Sequence, residues 1–227
     1  MKQKIKYQDE ANTCSENKNF AGKAQMPEVL HGSLTNKFSD HSSLRKFFRS
    51  IVLPVKKIKK ICRDVFLSNE ITTVLDFGAG TFFWTDWFVQ ELGCQIYAVD
   101  VYYKNLMIEK QNVKCYSDFD KCLNDCHDFS VVFACDVLHH LPVMECDEFI
   151  EKIITKAKII IIKDIDANHV FGNFMNKMHD RIINKEKVYN VYPNKIKKIF
   201  ELYGYKTYYY YIPKLWYSHF MIIGKKN

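Results

Sequence analysis

Residues 73–81 read Thr-Val-Leu-Asp-Phe-Gly-Ala-Gly-Thr, and this stretch decides the fold. Its first part, Thr73–Phe77, is a short apolar run that ends at glycines, which predicts a buried strand. The strand delivers the carboxylate of Asp76, and Gly78 and Gly80 then form a tight turn that opens a helix. Glycines let the backbone approach a ligand where a side chain would collide. We therefore expect a ligand site at the carboxyl end of this strand.

Strand and helix signals alternate from this stretch onward, which predicts a parallel sheet with helical crossovers. The last two strands are joined only by Pro213–Ser218, a link too short for a crossover, so this pair should be antiparallel. We expect an α/β fold: a doubly wound, mostly parallel seven-stranded sheet with an antiparallel C-terminal strand and helices on both faces. The predicted strands are Thr73–Phe77, Gln95–Asp100, Val113–Tyr116, Ser130–Cys135, Lys158–Ile162, Tyr205–Ile212 and His219–Gly224.

The chain divides near residue 43. Residues 1–42 are polar with few periodic apolar positions, which predicts a mobile tail or a lid, whereas residues 43–227 should form a single domain. From Leu44 onward apolar residues recur at helical spacing opposite a basic face, and Pro54 should divide this segment into two helices. Such a segment could lie on a membrane, but a helix covering one side of the sheet is favoured.

Composition sets the broad class. The 227 residues suffice for one sizeable domain, and a hydrophobic content of 48% suits a packed core. The net charge of +7 permits an anionic substrate, a nucleic acid or a membrane surface, and selects none of them. The polar amino terminus is no signal peptide, and the longest aliphatic run, Ile159–Ile162, is too short to span a bilayer.

The eight cysteines indicate reduced thiols in a cytoplasmic protein. No CxxC pair occurs. Cys122, Cys126 and His127 lie close together, but a structural zinc site needs a second pair of ligands, so no metal site is predicted.

A second carboxylate, Asp100, ends the second predicted strand. There it could accept both hydroxyls of a ribose, which together with the glycine turn describes a nucleoside site. A nicotinamide dinucleotide is the competing ligand, but Asp76 would repel its pyrophosphate. Charge therefore favours a cationic ligand without phosphate.

At these residues the chain resembles the class I S-adenosylmethionine-dependent methyltransferases over roughly residues 70 to 225. The resemblance implies that S-adenosylmethionine is the cofactor, with Asp76 near its methionine amino group and Asp100 on its ribose. The turn glycines Gly78 and Gly80 match the family, although Phe82 stands where the family often has a third glycine. The resemblance further assigns Asp118 to the adenine and includes Cys135, where a segment similar to the family motif VLHHLP begins.

Three residues are candidates for catalysis: His140 after the fourth strand, Asp164 after the fifth, and His179 in the insertion that follows. Each should lie near the carboxyl edge of the sheet, where ligands of open α/β folds bind. A histidine here could instead orient a turn, and Asp164 could cap a helix. Neighbours in a turn point in different directions, so His139 and His140 should differ, and His140 is the predicted base. The segment Lys163–Asp166, followed by His179–Asp180, is similar to small bacterial methyltransferases, some of which help make surface polysaccharides.

The predicted function is methyl transfer from S-adenosylmethionine to an oxygen or nitrogen of a small metabolite, with a sugar-linked acceptor as the narrower expectation. A nucleic-acid methyltransferase is the alternative, disfavoured because the chain has neither an added RNA-binding module nor an Asn-Pro-Pro-Tyr motif. A non-catalytic protein that binds S-adenosylmethionine is a second alternative, because binding and turnover use different residues.

Overall fold

The computed structural model describes residues 5–6, 52–103, 107–108, 110–184 and 187–226. Seven strands form one sheet in the order β3-β2-β1-β4-β5-β7-β6. Their bounds are β1 Thr73–Phe77, β2 Gln95–Val99, β3 Val113–Tyr116, β4 Phe129–Cys135, β5 Ala157–Ile165, β6 Tyr205–Tyr211 and β7 His219–Lys226.

The sheet has the predicted directions. Strand β1 pairs in parallel with β2 and β4, and β4 pairs in parallel with β5. Strand β7 runs antiparallel to both β5 and β6, because the short β6–β7 link cannot carry a crossover. The strand order reverses between β1 and β4, and open α/β sheets bind ligands at such a point.

Helices cover both faces, as predicted. Strands β1, β4 and β5 are apolar on both sides, and each face of the sheet carries its own buried cluster. The helices are α1 Val55–Leu67, α2 Phe83–Leu92, α3 Phe119–Asp125, α4 Val143–Ile154, α5 Val170–His179 and α6 Pro193–Leu202.

The basic segment covers the sheet as far as the structure describes it. Helix α1 begins directly after Pro54 and buries Ile58, Cys62 and Phe66, while its lysines face outward. This confirms the favoured interpretation for residues 55–67. The predicted tail or lid at residues 1–42 lies outside the described residues, except for Ile5–Lys6, which pairs antiparallel with Met107–Ile108.

The largest difference from the predicted strand bounds is at the end of the fifth strand, while the other ends differ by at most two residues. The apolar pattern ended the fifth strand at Ile162, and Asp164 was expected after it, but β5 continues to Ile165. Lys163, Asp164 and Ile165 pair with the antiparallel β7, so the ladder continues where the apolar pattern stops. Among the described residues, no helix combines the length and apolar character needed to cross a membrane.

Candidate functional site

The turn after β1 is held by the neighbouring strand. The backbone N–H groups of Gly78 and Ala79 donate to the carbonyl of Val99, at 2.9 and 3.1 Å. Gly78 has a φ of +73°, and a Cβ there would lie 2.5 Å from Cγ2 of Val137. Gly80 has a φ of +51°, and a Cβ there would meet only Oδ2 of Asp100 and the carbonyl oxygen of Gly78, each at 4.0 Å. The first glycine is therefore required by packing, whereas the second leaves room for a ligand.

Phe82 keeps a left-handed conformation at the position where the resemblance expected a third glycine. Its φ is +63°, and its ring stacks on Tyr103 with the centroids 4.8 Å apart. The Tyr103 hydroxyl donates to the carbonyl of Gly80 at 2.9 Å. This stack and hydrogen bond fasten the turn to the segment after β2.

Asp76 is almost fully buried at the base of the turn. The hydroxyl of Thr85, in α2, donates to its Oδ2 at 2.6 Å. Burial raises the pKa of Asp76 to about 7, although the hydrogen bond from Thr85 opposes this rise. Because desolvation penalises the charged form, a cation beside this carboxylate would be strongly favoured.

Asp100 lies at the mouth of the same turn. Its Oδ2 accepts from the N–H of Gly80 at 2.8 Å, and its Oδ1 accepts from the N–H of Tyr102 at 3.0 Å. A carboxylate has about four lone-pair sites, so two hydrogen bonds leave acceptor capacity for a pair of hydroxyls. The turn thus fixes the position of the Asp100 carboxylate without occupying all of its hydrogen-bond acceptor sites.

Asp118 and Cys135, which the resemblance also assigns to donor binding, contact other groups within the protein. Asp118 is the N-cap of α3 and accepts from the N–H groups of Asp120 and Lys121, at 2.9 and 3.2 Å. The Cys135 thiol, at the end of β4, lies 3.7 Å from Oδ2 of Asp136, and burial raises its pKa. The cap defines a structural role for Asp118, and its contact with adenine stays a prediction.

The second half of the site contains an ion pair that is buried on one side. Lys163 of β5 has no exposed surface, and its ammonium donates to Oδ1 of Asp136, whose side chain is partly exposed. Asp136 has a φ of +55°, a conformation uncommon for residues other than glycine. Burial acts to raise the pKa of Asp136, but the Lys163 ammonium and the nearby histidines together outweigh it and hold this pKa at about 2.

A histidine between two carboxylates forms the centre of this half. His139 Nδ1 lies 2.5 Å from Oδ1 of Asp164, whose Oδ2 also accepts from the His139 backbone N–H at 3.2 Å. On its other side, His139 Nε2 lies 3.7 Å from Oδ2 of Asp180. Burial acts to lower the pKa of His139, but Asp164 outweighs it and raises this pKa to about 9. At neutral pH His139 is therefore an imidazolium ion.

Two of the three predicted catalytic residues, Asp164 and His140, contact His139. Asp164 contacts it directly, and the ring of His140 packs against its ring with the centroids 4.1 Å apart. His179 precedes Asp180 in the chain, and its Nδ1 is 2.8 Å from the hydroxyl of Tyr217. The structure thus joins β4, β5 and the insertion into one cluster, as the shared sheet edge predicted.

Sequence reasoning did not select His219. Its Nε2 lies 2.8 Å from the carbonyl of Val52, while Nδ1 is buried without a hydrogen-bond partner in the part of the chain described. Burial, reinforced by the Lys163 ammonium, lowers the pKa of His219 to about 3, so the ring is neutral. The signal in the sequence that could have identified His219 is its position as a polar residue at the start of a largely apolar last strand.

The same cluster supplies the residues with the geometry to hold a metal. His139, His140 and Asp180 offer ligand atoms within 4.8 Å of one another, as do Asp136, His139 and Asp164. The second set already contains the contact between His139 and Asp164. The absence of a metal site stays a prediction.

A cavity of about 520 Å³ borders this cluster on the α4 and α6 side of the sheet. Leu138 and Leu141, which flank the two histidines, line it, and the backbone N–H of Tyr189 donates to the His139 carbonyl at 2.7 Å. Apolar side chains form much of the wall, and Lys177 and Asn190 add polar groups. This size and lining are typical of pockets for small ligands.

Comparison with known proteins agrees with this geometry. Residues 28–210 match the family described as a methyltransferase domain. No curated protein matches the chain.

Solved structures share the fold at low sequence identity. A SAM-dependent methyltransferase from Archaeoglobus fulgidus is 17% identical, with a TM-score of 0.58, and the match covers 81% of this chain and 99% of that one. The 1,6-didemethyltoxoflavin-N1-methyltransferase of Burkholderia thailandensis is 12% identical, with a TM-score of 0.59 and coverages of 92% and 93%. The small RNA methyltransferase HEN1 is 13% identical, with a TM-score of 0.54, and the match covers 76% of this chain and 25% of that one.

Proposed function

This chain belongs to the methyltransferase domain family, and from that premise we propose that it methylates an oxygen or nitrogen atom of a small, sugar-linked metabolite of the kind used in surface polysaccharides. Membership of this family makes the protein a methyltransferase. Two solved structures that share its fold contain S-adenosylhomocysteine, the demethylated product of the donor, which supports S-adenosylmethionine as the cofactor.

The residues around the first turn fit the donor. Asp76 is buried, Asp100 keeps free acceptor capacity, and the backbone of Gly80 has no side chain to crowd a ligand beside Asp100. We assign the donor amino group to Asp76, its ribose to Asp100 and its adenine to the region of Asp118 and Cys135. When bound, S-adenosylmethionine supplies a methyl group on a positively charged sulfur. A site of acids without phosphate-binding groups suits that charge.

The observation that carries the acceptor proposal is the cavity of about 520 Å³ whose lining includes Leu138 and Leu141, the residues on either side of the two histidines. Its volume suits a small molecule better than a polynucleotide chain, which needs an open basic groove. The Burkholderia enzyme, whose structure holds bound 1,6-didemethyltoxoflavin, gives a small-molecule precedent on the same fold. RNA is the alternative acceptor to be tested, because HEN1, which shares the fold, is a small RNA methyltransferase.

We propose that His140 removes the acceptor proton and that Asp164 positions His140 indirectly, through His139. His139 is unsuited to act as the base, because the raised pKa keeps it protonated at neutral pH. Asp164 is fully buried behind His139, so it acts on the orientation of the histidine pair. His179, hydrogen-bonded with Tyr217, is the second candidate to contact the acceptor.

The test supplies labelled S-adenosylmethionine together with separate acceptor pools. We expect label to enter nucleotide-sugar or sugar-lipid fractions and not RNA of matched concentration. Transfer to RNA alone would replace the small-molecule proposal. Stoichiometric donor binding without transfer to any pool would favour the non-catalytic alternative.

A further inference from the structure

Helix α5 turns its large apolar side chains toward solvent and its small and polar residues toward the protein, the opposite of an ordinary surface helix. It buries Gly172 and Asn176, together with Asp180 just beyond its end. Its outward positions carry large apolar side chains, with Phe171 67% exposed and Phe174 56% exposed. Helices of globular proteins usually bury the apolar face, so this outward face requires an explanation.

The turn between β6 and β7 extends the same face. A Cβ at Gly172 would lie 2.8 Å from Oγ of Ser218 and 2.9 Å from the carbonyl oxygen of Trp216, so helix and turn are in close contact. Leu215 and Trp216 in that turn are both exposed. We call this surface the α5 face; its apolar members are Val170, Phe171, Phe174, Met178, Leu215 and Trp216.

The charges beside the α5 face have one sign. Arg181 is exposed just beyond the end of α5, Lys177 is half-buried and also lines the cavity on the α4 and α6 side, and Lys214 lies in the turn. Within the described residues 170–182 and 212–218, the one carboxylate is Asp180, and it is buried. The whole chain has 26 acidic residues, so their absence from this exposed surface is a local feature.

We infer that the α5 face docks onto an anionic membrane surface. An interfacial helix inserts apolar side chains at the headgroup boundary while its lysines and arginines meet acidic lipids. A tryptophan at the edge of such a face suits the interface, where its ring is partly solvated. A protein partner would be expected to bury an apolar face without requiring every neighbouring charge to be positive.

Docking in this way would place helix α5 between the bilayer and the histidine cluster. Helix α5 follows β5 directly, and Asp180 at its end approaches His139. The inference does not rest on the proposed acceptor, because vesicle binding needs no turnover.

The test is co-sedimentation of the full-length protein with vesicles, either phosphatidylcholine alone or with roughly 30 mol% phosphatidylglycerol. We expect about tenfold stronger binding to the anionic vesicles, and weaker binding as salt rises. The double variant Phe171→Ser, Phe174→Ser should abolish retention. Arg181→Gln should lower the preference for anionic lipid by about fivefold.

The matched control is Leu67→Ser with Leu202→Ser, two apolar residues that are 88% and 83% exposed on α1 and α6. It should bind vesicles like the parent, and every variant should keep its affinity for S-adenosylmethionine. Equal binding to neutral and anionic vesicles would overturn the inference. So would a solution dimer that Phe171→Ser with Phe174→Ser dissociates, because the face would then join two copies of the chain.

Discussion

The two halves of the site are built in different ways. At the ends of β1 and β2, hydrogen bonds join the glycine turn to two acids: Thr85 donates to Asp76, and the N–H of Gly80 donates to Asp100. At the ends of β4 and β5, charged side chains meet as ion pairs: Lys163 contacts Asp136, and His139 contacts Asp164.

The charges differ as well. In the second half, Lys163 and His139 each lie against a carboxylate. In the first half, neither Asp76 nor Asp100 is ion-paired to a cation among the residues that the structure describes. Asp76 and Asp100, without a cation beside them, suit a cationic donor. The ion pairs of Lys163 and His139 are neutral overall, which suits the alignment of an uncharged acceptor. The comparison therefore predicts separable effects on donor affinity and on rate.

The largest expected effect is on rate. Replacing His140→Ala should slow single-turnover methyl transfer by about 100- to 10,000-fold, because a general base is lost. Donor affinity by titration calorimetry should stay that of the parent. His127→Ala is the control, since His127 is an exposed histidine outside the cluster. A normal rate in His140→Ala would move the base to His179 or leave catalysis to alignment alone.

The second effect is on stability. Asp164→Ala leaves the buried His139 without its closest partner, and the free energy of unfolding should fall by about 3–5 kcal/mol. Denaturant melts measure this. The control is Asp147→Ala, which breaks an exposed pair with Lys195 and should cost less than about 1 kcal/mol.

A companion variant separates the positioning role of Asp164 from folding. Asp164→Asn keeps the shape and one acceptor, so it should recover part of the stability while the rate stays low, because the amide no longer holds an imidazolium. Full recovery of rate in Asp164→Asn would contradict that role.

The same contrast explains what the sequence could predict. The Asp76–Gly80 turn and the position of Asp100 at a strand end follow from local pattern, and the short link between the last two strands predicts their antiparallel pairing. The order of the strands in the sheet was not predicted. The ion pairs of Lys163 and His139 depend on which strands become neighbours and how far β5 extends. The sequence predicted that His139 and His140 would differ, and it favoured His140 as the base. The buried contacts between His139 and Asp164 could not be predicted, because they depend on the pairing of β4 with β5.

The third effect tests the first half alone. Asp100→Ala should weaken donor affinity by about 2–3 kcal/mol, because it removes the proposed acceptor for the ribose hydroxyls. Calorimetric titration with S-adenosylmethionine measures this, with Asp64→Ala on the exposed side of α1 as the control. Because the second half is untouched, the rate at saturating donor should change far less. Unchanged donor affinity would remove Asp100 from the ribose assignment.

A smaller effect distinguishes two roles of Asp118. As the N-cap of α3 it should contribute about 1 kcal/mol to stability, which Asp118→Ala would lose in a denaturant melt. Asp118→Ser restores a cap without a carboxylate. If Asp118 also contacts adenine, both variants weaken donor binding, whereas a pure cap leaves donor affinity unchanged in Asp118→Ser.

The smallest effect concerns proton linkage at Asp76, whose raised pKa of about 7 has two consequences. In the free protein, stability contributed by this group falls as pH rises from about 4 through 7, because the folded state holds a proton that the unfolded chain releases. For donor binding the sign is opposite, since the cationic amino group favours the carboxylate. About half of the Asp76 carboxyls are protonated at pH 7, so binding there should release about half a proton.

Donor affinity should therefore rise about twofold from pH 7 to pH 8 through this group. Calorimetry in two buffers of different ionisation enthalpy measures the released proton directly. Asp76→Asn cannot ionise, so subtracting its pH profile removes the titration of the donor itself. Thr85→Val removes the hydrogen bond that opposes the raised pKa, so the proton release should persist to higher pH in that variant. The same proton release in the parent and in Asp76→Asn would place the donor amino group away from Asp76, and the charge contrast between the two halves would lose its main support.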